Sequence, residues 1–291
     1  MITLEIQDSL VKRKLAIRKM HDTSAGTLAL FKYHRNVMYD YKWFSHPELR
    51  ECRGHVYDLT TGELVQAAPR KSFNYCESGW WVNVPLDTKV KLYKKYNGFM
   101  ACSTNYNGSH LVTTTGSFSG EYQQKALELL HHTVVDPSSV FTDLFEIIAD
   151  FDPHIVDEGV ERAVYLGARS KLTGAFYPAT DTLYFSGTLQ DALMFASEDK
   201  GEGFMMYTEM DEKYQDPAKL KTPTYVGMKR LMRLNAQGVH NMYGNPREFA
   251  NQLPSMYAAS VDEIVKTVQK DDWMLMDEQV RRKYIETTLK G

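Results

Sequence analysis

The sequence predicts an α+β fold in which antiparallel sheets are flanked by helices, with a small helical appendage at the C-terminal end. Between residues 26 and 225, short segments rich in β-branched and aromatic residues alternate with turn sequences such as Asn97-Gly98 and Asn107-Gly108, which is typical of antiparallel sheets. After residue 225 the pattern changes, and apolar residues recur at helical spacing. We therefore expect one domain of residues 1–239 and a helical domain of residues 240–291.

Apolar residues at steps of three and four predict several helices. One is expected near the start of the chain beside a basic run, two lie between strands and one lies near the C-terminal end: residues 9–21, 120–132, 190–196 and 272–289. Ser260 and Glu263 have the spacing of a capping box, in which the two side chains bind the first backbone N–H groups of a helix. We therefore expect another helix to begin at Ser260.

The composition limits the classes of partner. The chain has 34 basic and 37 acidic side chains and a net charge of -3, so it lacks the global positive field of an indiscriminate nucleic-acid binder. Any contact with nucleic acid must come from a local groove. Three widely spaced cysteines fit neither a disulfide framework nor a zinc knuckle, and no apolar run suits a signal peptide or a membrane span. We expect a cytoplasmic protein with reduced thiols and no membrane segment, and we favour a monomer.

Several common catalytic motifs are missing from the sequence. It contains neither the phosphate-binding G-x-x-x-x-G-K-[ST] loop nor the dinucleotide-binding G-x-G-x-x-G, and neither H-E-x-x-H nor G-x-S-x-G. The sequence therefore gives no indication of the enzyme classes that these motifs mark. If the protein handles nucleotide phosphates, it must do so with individually placed lysines and arginines.

The clearest candidate for chemistry is Lys95, which precedes Tyr96-Asn97-Gly98 at the end of a strand predicted within residues 89–103. A lysine at a strand end can project into a cleft, while the glycine lets the backbone approach a ligand closely. Taken alone, the same residues also fit an ordinary hairpin turn, which needs no function.

Other short segments accompany Lys95 along the chain, in the order Arg53-Gly54, Lys71-Ser72-Phe73-Asn74, Thr115-Gly116-Ser117, Phe145-Glu146, Gly201-Glu202-Gly203-Phe204 and Lys219 to Tyr225. Their order and spacing resemble the covalent nucleotidyltransferase superfamily, in particular the RNA ligases typified by the tRNA-repair ligase of T-even phages. The resemblance extends over residues 30–230. It implies a nucleotidyltransferase domain in a bacteriophage-like RNA-repair enzyme that binds ATP.

The resemblance implies that Lys95 is the nucleophile that captures AMP, with Glu202, Lys219 and Lys221 completing the catalytic set. A lysine with a pKa of about 10.4 must lose its proton before it attacks a phosphate. We therefore expect a metal ion and nearby cations to lower the pKa of Lys95, the cations being Arg53, Lys71, Lys219 and Lys221. Because Lys219 and Lys221 are two apart in an apparent strand, both side chains leave the same face and can hold one triphosphate.

By the same resemblance, nine residues contact the nucleotide, namely Tyr33, Arg53, Lys71, Phe73, Gly98, Glu146, Glu202, Lys219 and Lys221. Phe73 is expected to stack on or wall the adenine, and Glu146 to contact the ribose. The alternative for Glu146 is an acid at a strand edge with access to solvent, and the alternative for Tyr33 is a core aromatic residue. Mg²⁺, for which Mn²⁺ can substitute, is the implied metal; Glu202 would orient its water, and Tyr225 would assist the metal or the nucleic-acid step.

The sequence departs from the family in three places. Asn97 stands where the family usually has an aspartate, so the hydrogen-bonding capacity remains but a negative charge is lost. Thr115 stands where the tRNA-repair ligase has a lysine, and Arg169 or Lys171 could replace that cation. The C-terminal region is much shorter than the domain with which that ligase selects its substrate. Specificity for broken tRNA is therefore not implied.

The sequence thus predicts an ATP-dependent RNA ligase that joins 5′-phosphate and 3′-hydroxyl RNA ends, with single-stranded RNA as its partner. The reaction would pass through lysyl-AMP and an adenylylated 5′ end. A DNA ligase or an RNA-capping guanylyltransferase would use the same lysyl-nucleotide chemistry. A catalytically inactive module that binds nucleic-acid ends is a third alternative, which Asn97 and Thr115 favour.

Overall fold

A computed structural model describes residues 2–24, 26–131, 140–152, 154–208 and 216–290, and it confirms the predicted α+β class. Within these residues, fourteen strands form three sheets. The strands are β1 (Ala16–Thr23), β2 (Gly26–Tyr33), β3 (Arg53–Asp58), β4 (Leu64–Gln66), β5 (Phe73–Asn74), β6 (Lys89–Lys95), β7 (Phe99–Tyr106), β8 (Ser109–Thr114), β9 (Phe141–Ile148), β10 (Arg162–Ser170), β11 (Phe176–Pro178), β12 (Leu183–Thr188), β13 (Gly203–Thr208) and β14 (Ala218–Lys221).

The strand order distributes the chain over the three sheets. The first sheet has the order β1-β2-β3-β4, the second β11-β10-β9-β7-β8 and the third β12-β6-β13-β14-β5. Neighbouring strands are antiparallel, as predicted, except that β14 and β5 run parallel. The turn Asn107-Gly108 closes the hairpin between β7 and β8, and both residues have positive φ, which is the backbone conformation that such a two-residue turn requires.

The helices in the described part of the chain are α1 (Leu4–Lys12), α2 (Asn36–Tyr39), α3 (Glu121–Leu130), α4 (Leu189–Glu198), α5 (Pro223–Met232), α6 (Ala236–Gly244), α7 (Pro246–Ala250), α8 (Ala258–Thr267), α9 (Lys270–Leu275) and α10 (Glu278–Lys290). The helices α3 and α4 confirm those predicted within residues 120–132 and 190–196, although residue 132 itself lies outside the described residues. None of the described helices is both long enough and apolar enough to cross a membrane.

The prediction of a single helix over residues 9–21 is wrong beyond Lys12. The chain turns at Lys14, where φ is +58°, and continues as β1 from Ala16. This strand pairs with β2 along its whole length. Hydrogen bonding within the sheet therefore overrides the helical spacing of the apolar residues, which is a weak local preference.

Two predictions in the C-terminal region also need correction. The helix α8 begins before Ser260, whose side chain is buried within the helix, so Ser260 and Glu263 do not form a capping box at its start. Residues 272–289 do not form one continuous helix, because the backbone at Met276 is extended and separates α9 from α10. A break of this kind lets the two short helices bury different faces.

The helices that follow β14 pack around one set of buried side chains, which we call the helical core. It includes Tyr225 of α5, Trp273 of α9 and Ile285 of α10, together with Ile155 from the loop before β10. The domain boundary predicted between residues 239 and 240 falls within α6, and α5 already contributes to this core. The division into two domains stays a prediction.

Candidate active site

A cavity of about 640 Å³ collects most of the residues that the sequence singled out. Its lining comes from β6, β13 and β14 of the third sheet and from β9, β10 and β11 of the second, so the cavity lies between these two sheets. The predicted residues in the lining are Arg53, Lys71, Lys95, Gly98, Glu146, Glu202, Lys219, Lys221 and Tyr225. The fold thus brings together side chains that are far apart in the sequence.

The register of the third sheet places one lysine on each side of a glycine. Gly203 pairs with Lys95 on one side and with Lys221 on the other. Gly203 has a φ of +136°, and a Cβ atom there would lie 2.1 Å from the carbonyl oxygen of Leu220, so only glycine fits. The preceding residue, Glu202, directs its carboxylate to both ammonium groups: its Oε1 lies 2.9 Å from Lys95 Nζ and also accepts a hydrogen bond from Lys221 Nζ.

The turn after Lys95 is not a hairpin. It carries the chain from β6 in the third sheet to β7 in the second, so the alternative of an ordinary hairpin turn is wrong. Gly98 N donates a hydrogen bond to Glu146 Oε1 at 3.1 Å, and a Cβ atom at Gly98 would lie 2.2 Å from the carbonyl oxygen of Ile147. Glycine is therefore required where the turn after Lys95 passes close to the backbone of β9.

Asn97 connects this turn to the helical core. Its Oδ1 atom accepts hydrogen bonds from the backbone N–H groups of Ile155 at 2.8 Å and Val156 at 3.2 Å. Its own backbone N–H donates to Glu158 Oε1 at 2.7 Å. Ile155 is 1% exposed and packs within the helical core. The amide of Asn97 thus ties the Lys95 turn to the loop that anchors the C-terminal helices.

The sequence predicts that nearby cations lower the pKa of Lys95. The charge of Arg53 acts in that direction, but the overall shift in this structure is upward. Burial acts to lower the pKa of Lys95, but the carboxylates of Glu146 and Glu202 outweigh it and raise the pKa above its ordinary value. Burial raises the pKa of Glu146, against the effect of Lys95. Burial acts in the same direction on Glu202, but Lys95 and Lys221 outweigh it and lower the pKa of Glu202. The ammonium form of Lys95 is therefore favoured.

The pKa values of the two lysines of β14 are shifted in the opposite direction to that of Lys95. Burial, reinforced by Lys71 and Arg53, holds the pKa of Lys219 well below its ordinary value. Burial and the charge of Lys95 lower the pKa of Lys221 to about 8, although Glu202 acts against them. Both side chains line the cavity from the same face of the strand, as predicted. A buried group of cations whose pKa values are lowered in this way has the electrostatic character of an anion site.

Arg53 and Lys71 complete the basic side of the cavity. Arg53 begins β3 and lies opposite Lys32 of β2 in the first sheet. Lys71 Nζ donates a hydrogen bond to the carbonyl oxygen of Ser72 at 2.9 Å. Burial lowers the pKa of Lys71. These side chains extend the positive surface away from Lys95 along the cavity wall.

Tyr33 and Phe73 do not reach the cavity. Phe73 is 1% exposed, because Phe44 stacks on its ring at a centroid distance of 6.0 Å and Trp43 meets its edge. Tyr33 packs against the same hydrophobic cluster, with its ring 4.8 Å from that of Trp43. For Tyr33 the structure therefore matches the alternative of a core aromatic residue. The prediction that Phe73 walls the adenine does not fit this placement.

The apolar part of the cavity comes from residues that were not predicted from the sequence. Phe176 and Tyr207 are stacked with their ring centroids 6.3 Å apart, and Leu144 and Leu166 lie beside them in the lining. Flat aromatic and aliphatic surfaces of this kind suit a nucleobase. Tyr207 could have been found from the sequence, because it lies four residues after Gly203 in the same strand and so shares its face. Phe176, on the short strand β11, gave no such signal.

Neither Arg169 nor Lys171 supplies a free cation in place of the lysine that the tRNA-repair ligase has at the position of Thr115. Thr115 and Arg169 both line the cavity, but Arg169 is 2% exposed and its guanidinium donates to the Glu51 carboxylate at 2.9 Å. Burial acts to raise the pKa of Glu51, but His55 and Arg169 outweigh it and hold the pKa well below its usual range. Lys171 lies outside the lining. Arg169 is therefore engaged in a buried ion pair.

The acidic side of the cavity suits a divalent cation only in part. In the described residues there is no group of three or more His, Cys, Asp or Glu side chains that could hold a metal by themselves. Glu202 and Glu146 provide carboxylates at the cavity, which fits Mg²⁺ because this ion takes one or two carboxylates and completes its shell with phosphates and water. Tyr225 is a poor ligand, since its ring lies 4.5 Å from Lys221 Nζ and 5.6 Å from Lys229 Nζ.

The fold is similar to solved structures of ATP-dependent ligases. An archaeal ATP-dependent RNA ligase matches in two forms, with 12% identity and a TM-score of 0.50 for the first and 11% and 0.51 for the second. A protein of Aquifex aeolicus assigned as an ATP-dependent DNA ligase matches with 12% identity and a TM-score of 0.51. Each match covers 98% of this chain and 76% of the other. No family model and no curated protein sequence matches the chain. The chain therefore has the fold of these ATP-dependent ligases.

Proposed function

We propose that this protein is an ATP-dependent RNA ligase that joins 5′-phosphate and 3′-hydroxyl RNA ends through a lysyl-AMP intermediate. The observation that carries the proposal is the partly buried ammonium of Lys95 on the carboxylate of Glu202, with Lys219 and Lys221 beside it in one cavity. The similarity of the fold to ATP-dependent ligases supports it. An inactive end-binding module would not need a buried lysine at this position, so we favour an enzyme.

The first step would use Lys95 as the nucleophile. Its Nζ atom attacks the α-phosphorus of ATP, an N–P bond forms, the bond from that phosphorus to the bridging oxygen breaks, and pyrophosphate leaves. Lys95 must first give up a proton, and Glu146 is a better acceptor than Glu202 because the pKa of Glu146 is raised and that of Glu202 is lowered. Lys219 and Lys221 would hold the triphosphate and stabilise the charge that builds up on the leaving pyrophosphate.

The next two steps would transfer AMP and release it. A 5′-phosphate oxygen of the RNA attacks the phosphorus of lysyl-AMP, the N–P bond breaks, and Lys95 recovers a proton. The 3′-hydroxyl of the second RNA end then attacks the activated 5′-phosphate, AMP leaves, the phosphodiester forms and the hydroxyl proton passes to solvent. Mg²⁺ near Glu202 and Glu146 would neutralise phosphate charge when bound.

The proposal is tested by incubating the protein with ATP labelled at the α-phosphate and Mg²⁺. The wild-type protein should acquire a covalent AMP group, whereas Lys95→Ala should not. Lys89→Ala, an exposed lysine on the same strand, is the matched control and should be labelled like the wild type. A wild-type protein that stays unlabelled, or a labelled Lys95→Ala variant, would contradict the proposal.

The nucleic acid and the nucleotide require separate measurements. A DNA ligase is the main alternative, because one protein with a similar fold is assigned as an ATP-dependent DNA ligase. We propose RNA, in single-stranded form, as the partner, and ATP over GTP; sealing assays with RNA and DNA ends and labelling with each nucleotide distinguish these possibilities. We also propose a cytoplasmic location, where the three free cysteines would stay reduced thiols. The monomeric state, the role in RNA repair and the phage type are further parts of the proposal.

A further inference from the structure

A second cleft of about 900 Å³ adjoins the cavity around Lys95. It lies against α5, α6 and α7, and we call it the α5 cleft. Lys221, Tyr225 and Lys229 line both spaces, so the two are continuous. The α5 cleft also contains Arg230 and Arg233, which do not line the first cavity. A molecule bound at Lys95 could therefore extend into the α5 cleft.

The helix α5 presents a row of one tyrosine and two basic side chains along this path. Tyr225, Lys229 and Arg233 are spaced four residues apart and so lie on one face of the helix, over a length of about 12 Å. The start of the helix is fixed next to Glu202, because Thr222 Oγ1 accepts a hydrogen bond from Tyr225 N and donates one to the carbonyl oxygen of Gly201. The row therefore begins at the catalytic residues and leads away from them.

The aromatic ring of Tyr225 connects the charges of the two spaces. Its centroid lies 4.5 Å from the ammonium group of Lys221 and 5.6 Å from that of Lys229. This arrangement holds two like charges close together, which suits an anion that passes over them. Lys229 is exposed and thus accessible to such an anion.

The acidic residues around the α5 cleft neutralise little of this charge. Glu248 belongs to the lining, and Glu278 forms an ion pair with Arg233 at 3.0 Å. Both members of that pair are about two-fifths exposed, so the pair is weak and a phosphate can replace the carboxylate. Arg230 donates to the uncharged amide of Gln252. The cleft is locally basic although the chain as a whole has a net charge of -3.

We propose that the α5 cleft binds the sugar–phosphate backbone of the polynucleotide strand whose 5′ end is activated at Lys95. The proposal rests on the proposed ligase function and adds the path of the substrate. A row of separate cations leading out of the site fits a chain of phosphates better than a free nucleotide, whose phosphates the first cavity would already hold. Contacts of this kind recognise the backbone and not the bases.

The experiment separates formation of lysyl-AMP from its transfer. Arg230 and Arg233 are replaced together by glutamine, the lysyl-AMP form is isolated, and AMP transfer to a 5′-phosphorylated strand is followed at several strand and salt concentrations. We expect R230Q/R233Q to form lysyl-AMP at the wild-type rate. The strand concentration for half-maximal transfer should rise about tenfold or more. A plot of its logarithm against the logarithm of the salt concentration should lose about 1.4 in slope, because each missing arginine leaves one phosphate of a single strand without its cation.

Two further variants provide the controls. R230K/R233K keeps both charges and should transfer AMP at nearly the wild-type strand concentration. K266Q/K283Q removes two exposed lysines outside the cleft and should leave both reactions unchanged. If the wild type forms no lysyl-AMP, the proposed function itself fails. If the wild type forms lysyl-AMP and transfers the AMP, but R230Q/R233Q has the same half-maximal strand concentration and salt slope, the strand does not pass through the α5 cleft. An effect of R230Q/R233Q on strands of one base sequence alone would contradict recognition of the backbone.

Discussion

Replacing Asn97 with alanine removes the acceptor that holds the loop at Ile155 and Val156. Two backbone N–H groups then lose their partner, and a buried N–H without a partner costs about 1–3 kcal/mol. Ile155 is 1% exposed, so its N–H group should lose most of this energy, while Val156 is only partly buried and water can replace some of the bond. We expect Asn97→Ala to lower the free energy of unfolding by about 2–4 kcal/mol.

Urea unfolding followed by circular dichroism measures this change, and labelling with ATP measures its effect on the site. Asn97→Asp keeps an acceptor oxygen in the same turn, so it should cost less than about 1 kcal/mol and still form lysyl-AMP. Asn105→Ala, which removes a single bond to Gly108 N in an exposed turn, is the matched control and should cost little. Asn97→Ala with wild-type stability, or Asn97→Asp as unstable as Asn97→Ala, would refute the tether.

Three other changes test the site. Glu51→Gln leaves Arg169 buried without its counter-charge and should lower the free energy of unfolding by about 3–5 kcal/mol in a thermal or urea titration; a cost below about 1 kcal/mol would contradict this. Because the pKa of Lys221 is lowered to about 8, ATP affinity measured by calorimetry should fall as pH rises from about 7 to about 9 and the ammonium is lost; constant affinity would argue against its contact with triphosphate. Gly98→Ala forces the turn away from Ile147 and should slow lysyl-AMP formation by about 10²-fold, and an unchanged rate would show that the turn tolerates the shift.

The sequence predicted the parts of the site that depend on local geometry. The common face of Lys219 and Lys221 follows from the two-residue period of a strand. At Gly98 the sequence predicted that the backbone approaches a ligand, whereas its close neighbour in the structure is the carbonyl oxygen of Ile147. The resemblance added the order of the segments, and the structure brings nine of the selected residues to one cavity. These predictions did not depend on which strands lie next to each other in the fold.

The predictions about the site that were wrong depend on contacts between distant segments of the chain. The raised pKa of Lys95 follows from Glu146, which reaches it from the opposite sheet, so the count of nearby cations in the sequence gave the wrong sign. Phe73 looked suitable for stacking on a base, but the neighbouring rings of Trp43 and Phe44 bury it. The partner of Asn97 lies 58 residues away, and no local pattern marks it.

The charge balance around Lys95 has a consequence for the order of events. Glu202 contacts both Lys95 and Lys221, and the carboxylates of Glu146 and Glu202 raise the pKa of Lys95, which favours its protonated, unreactive form. A bound triphosphate would attract Lys221 and Lys219, raise their pKa values and take up protons, while Mg²⁺ would compete with Lys95 for the carboxylates. Lys95 would then lose the carboxylate charge that holds its proton. Under the proposed function, Lys95 would become reactive only when ATP is bound, which would protect the amine from unproductive reactions.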